Sequence, residues 1–394
     1  VNAAAAAGDR VRLLFVIPSL YIGGAERQLV QLVQNLDPER YAITVAVFIG
    51  PDAATQEGFY KQLASLPNVS LAEVSRRGRF DVIGPVISLV RLIRARNIQL
   101  MQTFLNLAST FGLVAARLAG IPILASAIRD SRDIGLVYRV CRVLQAYGAD
   151  ILLSNSEAGF DNRFRHRRHN FRVVGNGMDL RRFEPQPETV RRLRDELNLS
   201  RFDHLVGMVA TLSAFKDHEA FLHIAARVVS KRPDTGFLVI GDGPRRAALE
   251  ALSARLGLAR NVMFTGYRKD IDTLTGMLDV ACLFTNYRMI SEGLPNAVME
   301  AMACAVPVVA TNGGGTVEFL RDGVDGYLVA DNDVDVSVAR ILQLLDDQNL
   351  RHTMGQSARV VIEQKFSLDA CVARHEAMYA ELLAGHHLRG MQTS

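Results

Sequence analysis

Short apolar runs alternate along this chain with longer segments whose apolar positions recur at helical spacing. The runs read as strands buried on both faces, and the periodic segments as amphipathic helices. The first run, Val11–Ile17, precedes a helical pattern carrying Leu29, Leu32, Val33 and Leu36. Further strands are expected over residues 41–49, 69–74, 98–103, 122–128, 150–154 and 171–174, with helices such as 82–96 and 106–119 between them. The turn cluster Asn176-Gly177-Met178-Asp179 and a linker-like stretch at 183–187 interrupt the series. A second series begins at 205–210 and continues at 236–241, 261–266, 280–285, 306–311 and 326–329. The last helical patterns, about 335–364 and 368–383, have no strand after them. Such alternation implies parallel sheets covered on both faces, hence an α/β chain. Two series imply two domains, 1–185 and 186–367, with a terminal helical segment over 368–394.

The densest chemistry lies between the fourth and fifth strands of the second series. Ser291-Glu292-Gly293-Leu294-Pro295-Asn296 leads into a helix that carries Glu300. Pro295 presets a first helical turn, and Asn296 is a good capping residue. Glu292 then lies on a loop, and Glu300 about one turn into a helix whose amino end faces that loop. Free N–H groups at such an end bind anions, phosphates above all. A carboxylate is repelled by phosphate, so Glu292 and Glu300 suit hydroxyl donors on either side of a diphosphate. A sugar nucleotide has that layout.

Other strand-to-helix junctions carry supporting groups. Lys216 lies on the loop Thr211-Leu212-Ser213-Ala214-Phe215-Lys216-Asp217-His218, at the carboxyl end of a parallel strand where ligands bind. Its ammonium can neutralise a departing diphosphate. Gly23-Gly24, after the first strand, serves either chain reversal or close backbone approach to a ligand. Gly241-Asp242-Gly243-Pro244 has Arg246 where a dinucleotide fingerprint has its third glycine, and reads as structural. Arg268, in Gly266-Tyr267-Arg268, is either a surface charge or a nucleotide contact.

The stretch from Glu292 to Glu300, with Gly-Leu-Pro-Asn inside it, resembles the E-x7-E motif of family 4 retaining glycosyltransferases of the GT-B fold. Gly314-Gly315-Thr316-Val317-Glu318 resembles that family's Gly-Gly-x-x-Glu continuation, and Gly23-Gly24-Ala25-Glu26 its loop after the first strand. The resemblance implies two Rossmann-like domains facing across an interdomain cleft, and a final helix that crosses back to the first. It places the donor, a UDP- or GDP-sugar, in the second domain. It implies catalytic roles for Lys216 and Glu292, the latter holding sugar hydroxyls. Donor contacts would be Gly23, Gly24, Thr211, Arg268, Gly293, Leu294, Asn296 and Glu300, with Glu300 on the ribose. Transfer would occur on the front face, with the leaving phosphate taking the acceptor proton and no enzyme nucleophile, cofactor or metal required. Two departures stand out. Thr211 occupies the place of an arginine, and Leu100-Met101-Gln102-Thr103-Phe104 lacks the family's histidine. Acceptor-side candidates are therefore Asn106, Arg129 and Asp130, with Gln102 nearby. The acceptor would be lipid-linked, a polysaccharide or another glycan. A GT-B sugar-nucleotide epimerase and a catalytically silent nucleotide-sugar-binding partner are the alternatives.

Charge changes this picture in one respect. The net charge is +4, but residues 1–180 hold 21 Lys/Arg against 14 Asp/Glu, and the remainder 24 against 27. A basic first half suits an anionic partner such as a membrane surface or phosphorylated acceptor, or is plain surface bias. Within it, Arg163-Phe164-Arg165-His166-Arg167-Arg168-His169 reads as a solvated basic face or a lipid-phosphate contact, not a zinc site. No nucleic-acid partner is expected. Four scattered cysteines imply reduced thiols in a cytoplasmic protein, peripheral on the inner membrane face if it meets a bilayer. No transmembrane helix is expected, and the alanine-rich start at 1–8 does not read as a secretory signal. Asp331-Asn332-Asp333-Val334-Asp335 resembles a metal loop but precedes a helix, where capping is the simpler role. Ser154-Asn155-Ser156 lacks a nucleophile elbow, which removes support for a hydrolase.

Overall fold

The computed structural model describes residues 10–21, 23–49, 58–76, 78, 81–128, 136–161, 163–184, 186–289 and 292–392. Pro185, at the expected domain boundary, lies outside them. The chain divides into two compact units, Val1–Gly177 with Leu368–Ser394, and Met178–Ser367.

The first unit holds one parallel sheet of seven strands. They are β1 Val11–Ile17, β2 Tyr41–Val47, β3 Val69–Glu73, β4 Leu100–Phe104, β5 Ile123–Ile128, β6 Ile151–Ser154 and β7 Phe171–Val173, in the order β3-β2-β1-β4-β5-β6-β7. Leu13 of β1 pairs with Ile43 on one side and Leu100 on the other. Side chains alternate across the sheet, which explains a run apolar throughout. Leu13, Phe15 and Ile17 pack with the helices Gly24–Asn35 and Leu368–Gln392. Leu14 and Val16 face the other way, into a core shared with the helices Ile83–Ala95, Leu105–Ala119 and Leu136–Gly148. These last three lie side by side on one face of the sheet.

The second unit repeats the plan with six parallel strands. They are β8 His204–Val209, β9 Thr235–Ile240, β10 Val262–Gly266, β11 Val280–Leu283, β12 Val308–Thr311 and β13 Gly326–Val329, in the order β10-β9-β8-β11-β12-β13. One core of buried side chains runs through it. In each unit the strand order reverses once, between β1 and β4 and between β8 and β11. The carboxyl ends of strands at such a point flank a crevice that loops line with functional groups.

Three local expectations are corrected. The single helix expected at 335–364 is two, Val334–Asp346 and Gln348–Phe366. Asp347 leaves helical dihedrals (φ −116°, ψ 97°) and accepts a hydrogen bond from the Leu350 N–H at 2.9 Å, so a cap restarts the helix. The linker expected at 183–187 is shorter at both ends. A 3-10 turn covers Leu180–Phe183, and Pro187 opens the helix Pro187–Glu196. Asn296 does not cap its helix: Pro295 holds the cap position and Asn296 is the first helical residue of Asn296–Ala303. Among the described residues no helix is long and apolar enough to cross a membrane.

Candidate active site

The loops after β8 and β11 meet at the switch point of the second sheet. Lys216 pairs with Thr285 in an isolated antiparallel bridge. On either side, Asp217 N–H donates to the Phe284 carbonyl and Asn286 N–H to the Phe215 carbonyl, both at 2.9 Å. Asp217 also caps the helix His218–Val229, accepting from Ala220 N–H at 2.9 Å. The lysine's backbone is therefore fixed between a strand-like zipper and a helix start.

Its side chain is fixed as well. Lys216 is only 8% exposed. Its Nζ donates to the Glu292 carboxylate and lies 3.4 Å from Thr285 Oγ1. Thr285 Oγ1 in turn donates to the other Glu292 oxygen at 2.9 Å. The three groups form a closed ring of a cation, a hydroxyl and a carboxylate. Burial pulls the Lys216 pKa below its usual value, and the adjacent carboxylate opposes that shift. His218 supports the loop from below. Its Nδ1 lies 3.0 Å from the Lys216 carbonyl, which can only accept, so Nδ1 carries the proton. Burial lowers the His218 pKa to about 4 and keeps the ring neutral.

The Glu292 backbone is seated by the glycine turn after β12. Gly315 N–H donates to the Glu292 carbonyl at 3.1 Å. A Cβ on Gly314 would lie 2.6 Å from that carbonyl oxygen, and one on Gly315 2.6 Å from the Gly293 oxygen. Gly314 also has φ +54°, in the left-handed region that favours glycine. The glycines let two loops touch backbone to backbone. The Tyr287 ring closes the same corner, and burial pushes its hydroxyl pKa up to about 12. Beyond Glu292 the chain enters Asn296–Ala303, with Pro295, whose side chain makes no capping hydrogen bond, at the cap position. Its positive dipole end therefore faces the loop that carries Glu292. Glu300 sits half-buried one turn along; burial first, and then this carboxylate, push the Cys304 thiol up to about 12.

Residues 190–361 match the family model described as Glycosyl transferases group 1. This match lies within the second unit, Met178–Ser367. Among curated relatives, it is 28% identical over 207 residues to the Vi polysaccharide biosynthesis protein VipC/TviE of Salmonella typhi, an alignment covering 51% of this chain and 35% of that one. It is 24% identical over 317 residues to the Escherichia coli UDP-Gal:alpha-D-GlcNAc-diphosphoundecaprenol alpha-1,3-galactosyltransferase, covering 76% and 79%. The chain spans 49% to 58% of the length of three further curated relatives. In structure it resembles Anabaena HepE in complex with UDP, with a TM-score of 0.81, 22% identity and coverage of 94% and 100%. Both sheets thus follow the GT-B plan.

The remaining family positions are less concentrated. Thr211 is exposed on the loop before Lys216, and its carbonyl accepts from Ser213 N–H at 2.8 Å. Arg268 is held by Asp270 at 2.6 and 2.8 Å and by Glu196 at 3.4 Å. Leu294 is buried and Gly293 half-buried beside Glu292. In the first unit, Gly23 caps and Gly24 opens the helix Gly24–Asn35. Asn106 follows β4, and its Oδ1 accepts from Gln145 Nε2 at 2.8 Å. Gln102 is buried, accepting from the Tyr379 hydroxyl and donating to Ser126 Oγ at 3.2 Å. It braces the C-terminal helix rather than facing solvent. Arg129 and Asp130 lie outside the described residues. Asp333 caps Val334–Asp346, and Asp331 pairs with Arg288 at 3.5 Å. Sequence reasoning missed Thr285 and Tyr287. Thr285 ends an apolar run seven residues before Glu292, which is a weak signal; Tyr287 carries none.

Proposed function

We propose that this chain is a retaining glycosyltransferase that moves a sugar from a UDP- or GDP-sugar to a lipid-linked, polysaccharide or other glycan acceptor. The ring of Lys216, Thr285 and Glu292 at the switch point of the second sheet carries this reading. A lysine held in place by packing serves a developing phosphate charge without reorganising. Glu292 is oriented by two donors and offers its remaining lone pairs to sugar hydroxyls. The amino end of the helix Asn296–Ala303 adds a dipole for the diphosphate, and Glu300 is assigned to the ribose. In the first unit, backbone at Gly23 and Gly24 is assigned to ligand contact, and Asn106, Arg129 and Asp130 to the acceptor. The relatives' names support an acceptor of this kind: one is named for a diphosphoundecaprenol-linked sugar, another for polysaccharide biosynthesis.

In the reaction, the glycosidic C–O bond to the distal phosphate breaks as the acceptor oxygen bonds the same face of the anomeric carbon. The acceptor proton passes to the leaving phosphate. Lys216 and the helix end balance its charge, so turnover is expected to survive EDTA. Loss in EDTA with recovery on adding Mn²⁺ would overturn that. The deciding experiment incubates the protein with UDP- and GDP-sugars and candidate lipid-linked acceptors and reads the product by NMR. A product with retained anomeric configuration is expected. Interconversion of the donor sugar without acceptor would mean an epimerase, and binding without turnover a silent partner.

A further inference from the structure

The helices Ile83–Ala95, Leu105–Ala119 and Leu136–Gly148 show an unusual outer surface. Val137, Val140, Leu144 and Tyr147 recur at helical spacing and are all exposed, Val137 at 73% and Tyr147 at 69%. Val114 and Leu118 form a second exposed apolar pair on the adjoining helix, and Ile83 and Ile87 a third. Because the helices pack side by side, the pairs and the stripe lie on one layer. Large apolar patches on a soluble surface mark an interaction site.

Charge selects the partner. The three helices hold five arginines, Arg91, Arg94, Arg117, Arg139 and Arg142, and no Asp or Glu. A second copy docked through the same face would set arginines against arginines. A nucleic acid would meet the arginines but gain nothing from aliphatic side chains. We propose that this helix layer is a docking surface for an anionic lipid bilayer, with Leu136–Gly148 lying in the headgroup plane. Its apolar stripe would enter the acyl boundary while arginines meet lipid phosphates. Tyr147 suits that boundary, with an apolar ring and a polar tip; the Arg168 guanidinium lies 3.9 Å over its ring centroid. Two of the basic residues nearby are already paired, Arg117 with Asp150 at 3.1 Å and Arg167 with Glu157 and with Asp161 at 2.8 Å, so Arg91, Arg94 and Arg139 are the foremost phosphate contacts of the layer.

The proposal rests on the glycosyltransferase reading only for why a bilayer is the partner; docking itself is measured without turnover. The full chain is floated with vesicles of phosphatidylcholine alone, or with added phosphatidylglycerol, at low and high salt. Binding to anionic vesicles at low salt is expected to exceed neutral binding by roughly tenfold and to fade with salt. Val140→Glu and Leu144→Glu should each weaken it by roughly tenfold or more. Both side chains are exposed, so an unchanged melting temperature and unchanged nucleotide binding are expected and show that the variants fold. Equal binding to both vesicle types, or none to either, overturns the proposal. So does a concentration-dependent dimer that Leu144→Glu abolishes, which would assign the face to a second copy. Vesicle binding that persists while every sugar nucleotide fails to bind would sink the transferase reading and leave the docking surface intact.

Discussion

The two units share a parallel-sheet plan and differ in where their chemistry points. In Met178–Ser367 every described α-helix carries at least one Asp or Glu, and six large hydrophobics are exposed among the described residues, scattered over the unit. In the first unit, three neighbouring helices carry no acid and expose eleven large hydrophobics between them. The second unit instead buries its reactive groups: Lys216, Thr285 and His218 are all under a tenth exposed. Among the described residues the corresponding point of the first sheet has no such ring; Gln102 and Asn106 there are tied into packing by Tyr379 and Gln145. One architecture thus serves two ends, a preorganised interior site in one unit and an outward face in the other.

The largest expected effect breaks the interior site. Lys216→Ala should lower turnover by about 10²–10³, the cost of removing one preorganised electrostatic group. KM should move little, because charge on the distal phosphate oxygen peaks in the transition state. Glu292 keeps its 2.9 Å bond from Thr285 in the variant, so the sugar contact is retained. Steady-state kinetics decide: a raised KM with unchanged turnover would mean that the lysine binds both states equally.

A second test uses burial itself. The folded His218 pKa is about 4, below its ordinary value of 6.5. Between those values the unfolded chain binds a proton that the folded chain refuses. Stability therefore falls as pH drops through that window, by about 3 kcal/mol in all, and the contribution is fully present above it. His218→Asn keeps a donor for the Lys216 carbonyl but cannot titrate. Urea titrations at neutral and acidic pH should show a smaller pH-dependent loss in the variant. An equal loss would place the acid sensitivity elsewhere.

The sheets were legible in sequence because parallel strands buried on both faces leave unbroken apolar runs; β1 and β13 match their runs residue for residue. Ends were less legible. The break at Asp347 has no Gly or Pro beside it, only a side chain that caps the next helix. Lys216 and Glu292 could be found from their positions at strand ends. Their direct contact spans 76 residues of sequence, and the Lys216–Thr285 contact 69, separations that spacing does not reveal. The outward stripe of Leu136–Gly148 was hidden for a different reason: an apolar helical face reads as core until its neighbours are known.

Glu300→Ala sharpens the comparison by testing how far the interior site extends. Glu300 lies on the helix Asn296–Ala303, whose amino end is proposed to serve the diphosphate. Loss of a charge-assisted hydrogen bond to the ribose should weaken nucleotide binding by about 1–3 kcal/mol. Calorimetry with the free nucleoside diphosphate measures it, and unchanged affinity would remove Glu300 from the ribose.

The smallest effect concerns Thr211, where this chain departs from the family it resembles. Thr211 is exposed, five residues before Lys216, on the loop that leaves β8. Its backbone carbonyl turns that loop by accepting from Ser213 N–H, a role that does not depend on the side chain. Arginine at this position would add a second positive charge to the diphosphate region without displacing buried atoms. Solvent screens charges at exposed positions, so the gain in nucleotide affinity should stay within about 1 kcal/mol. The informative background is Lys216→Ala. There the buried cation is gone, and any charge that Thr211→Arg places near the phosphates acts alone. If the loop after β8 is a phosphate loop, Thr211→Arg should recover part of the turnover lost in Lys216→Ala. If the double variant is no faster than Lys216→Ala, and Thr211→Arg alone weakens nucleotide binding, then position 211 does not face the diphosphate and Thr211 should be removed from the donor site.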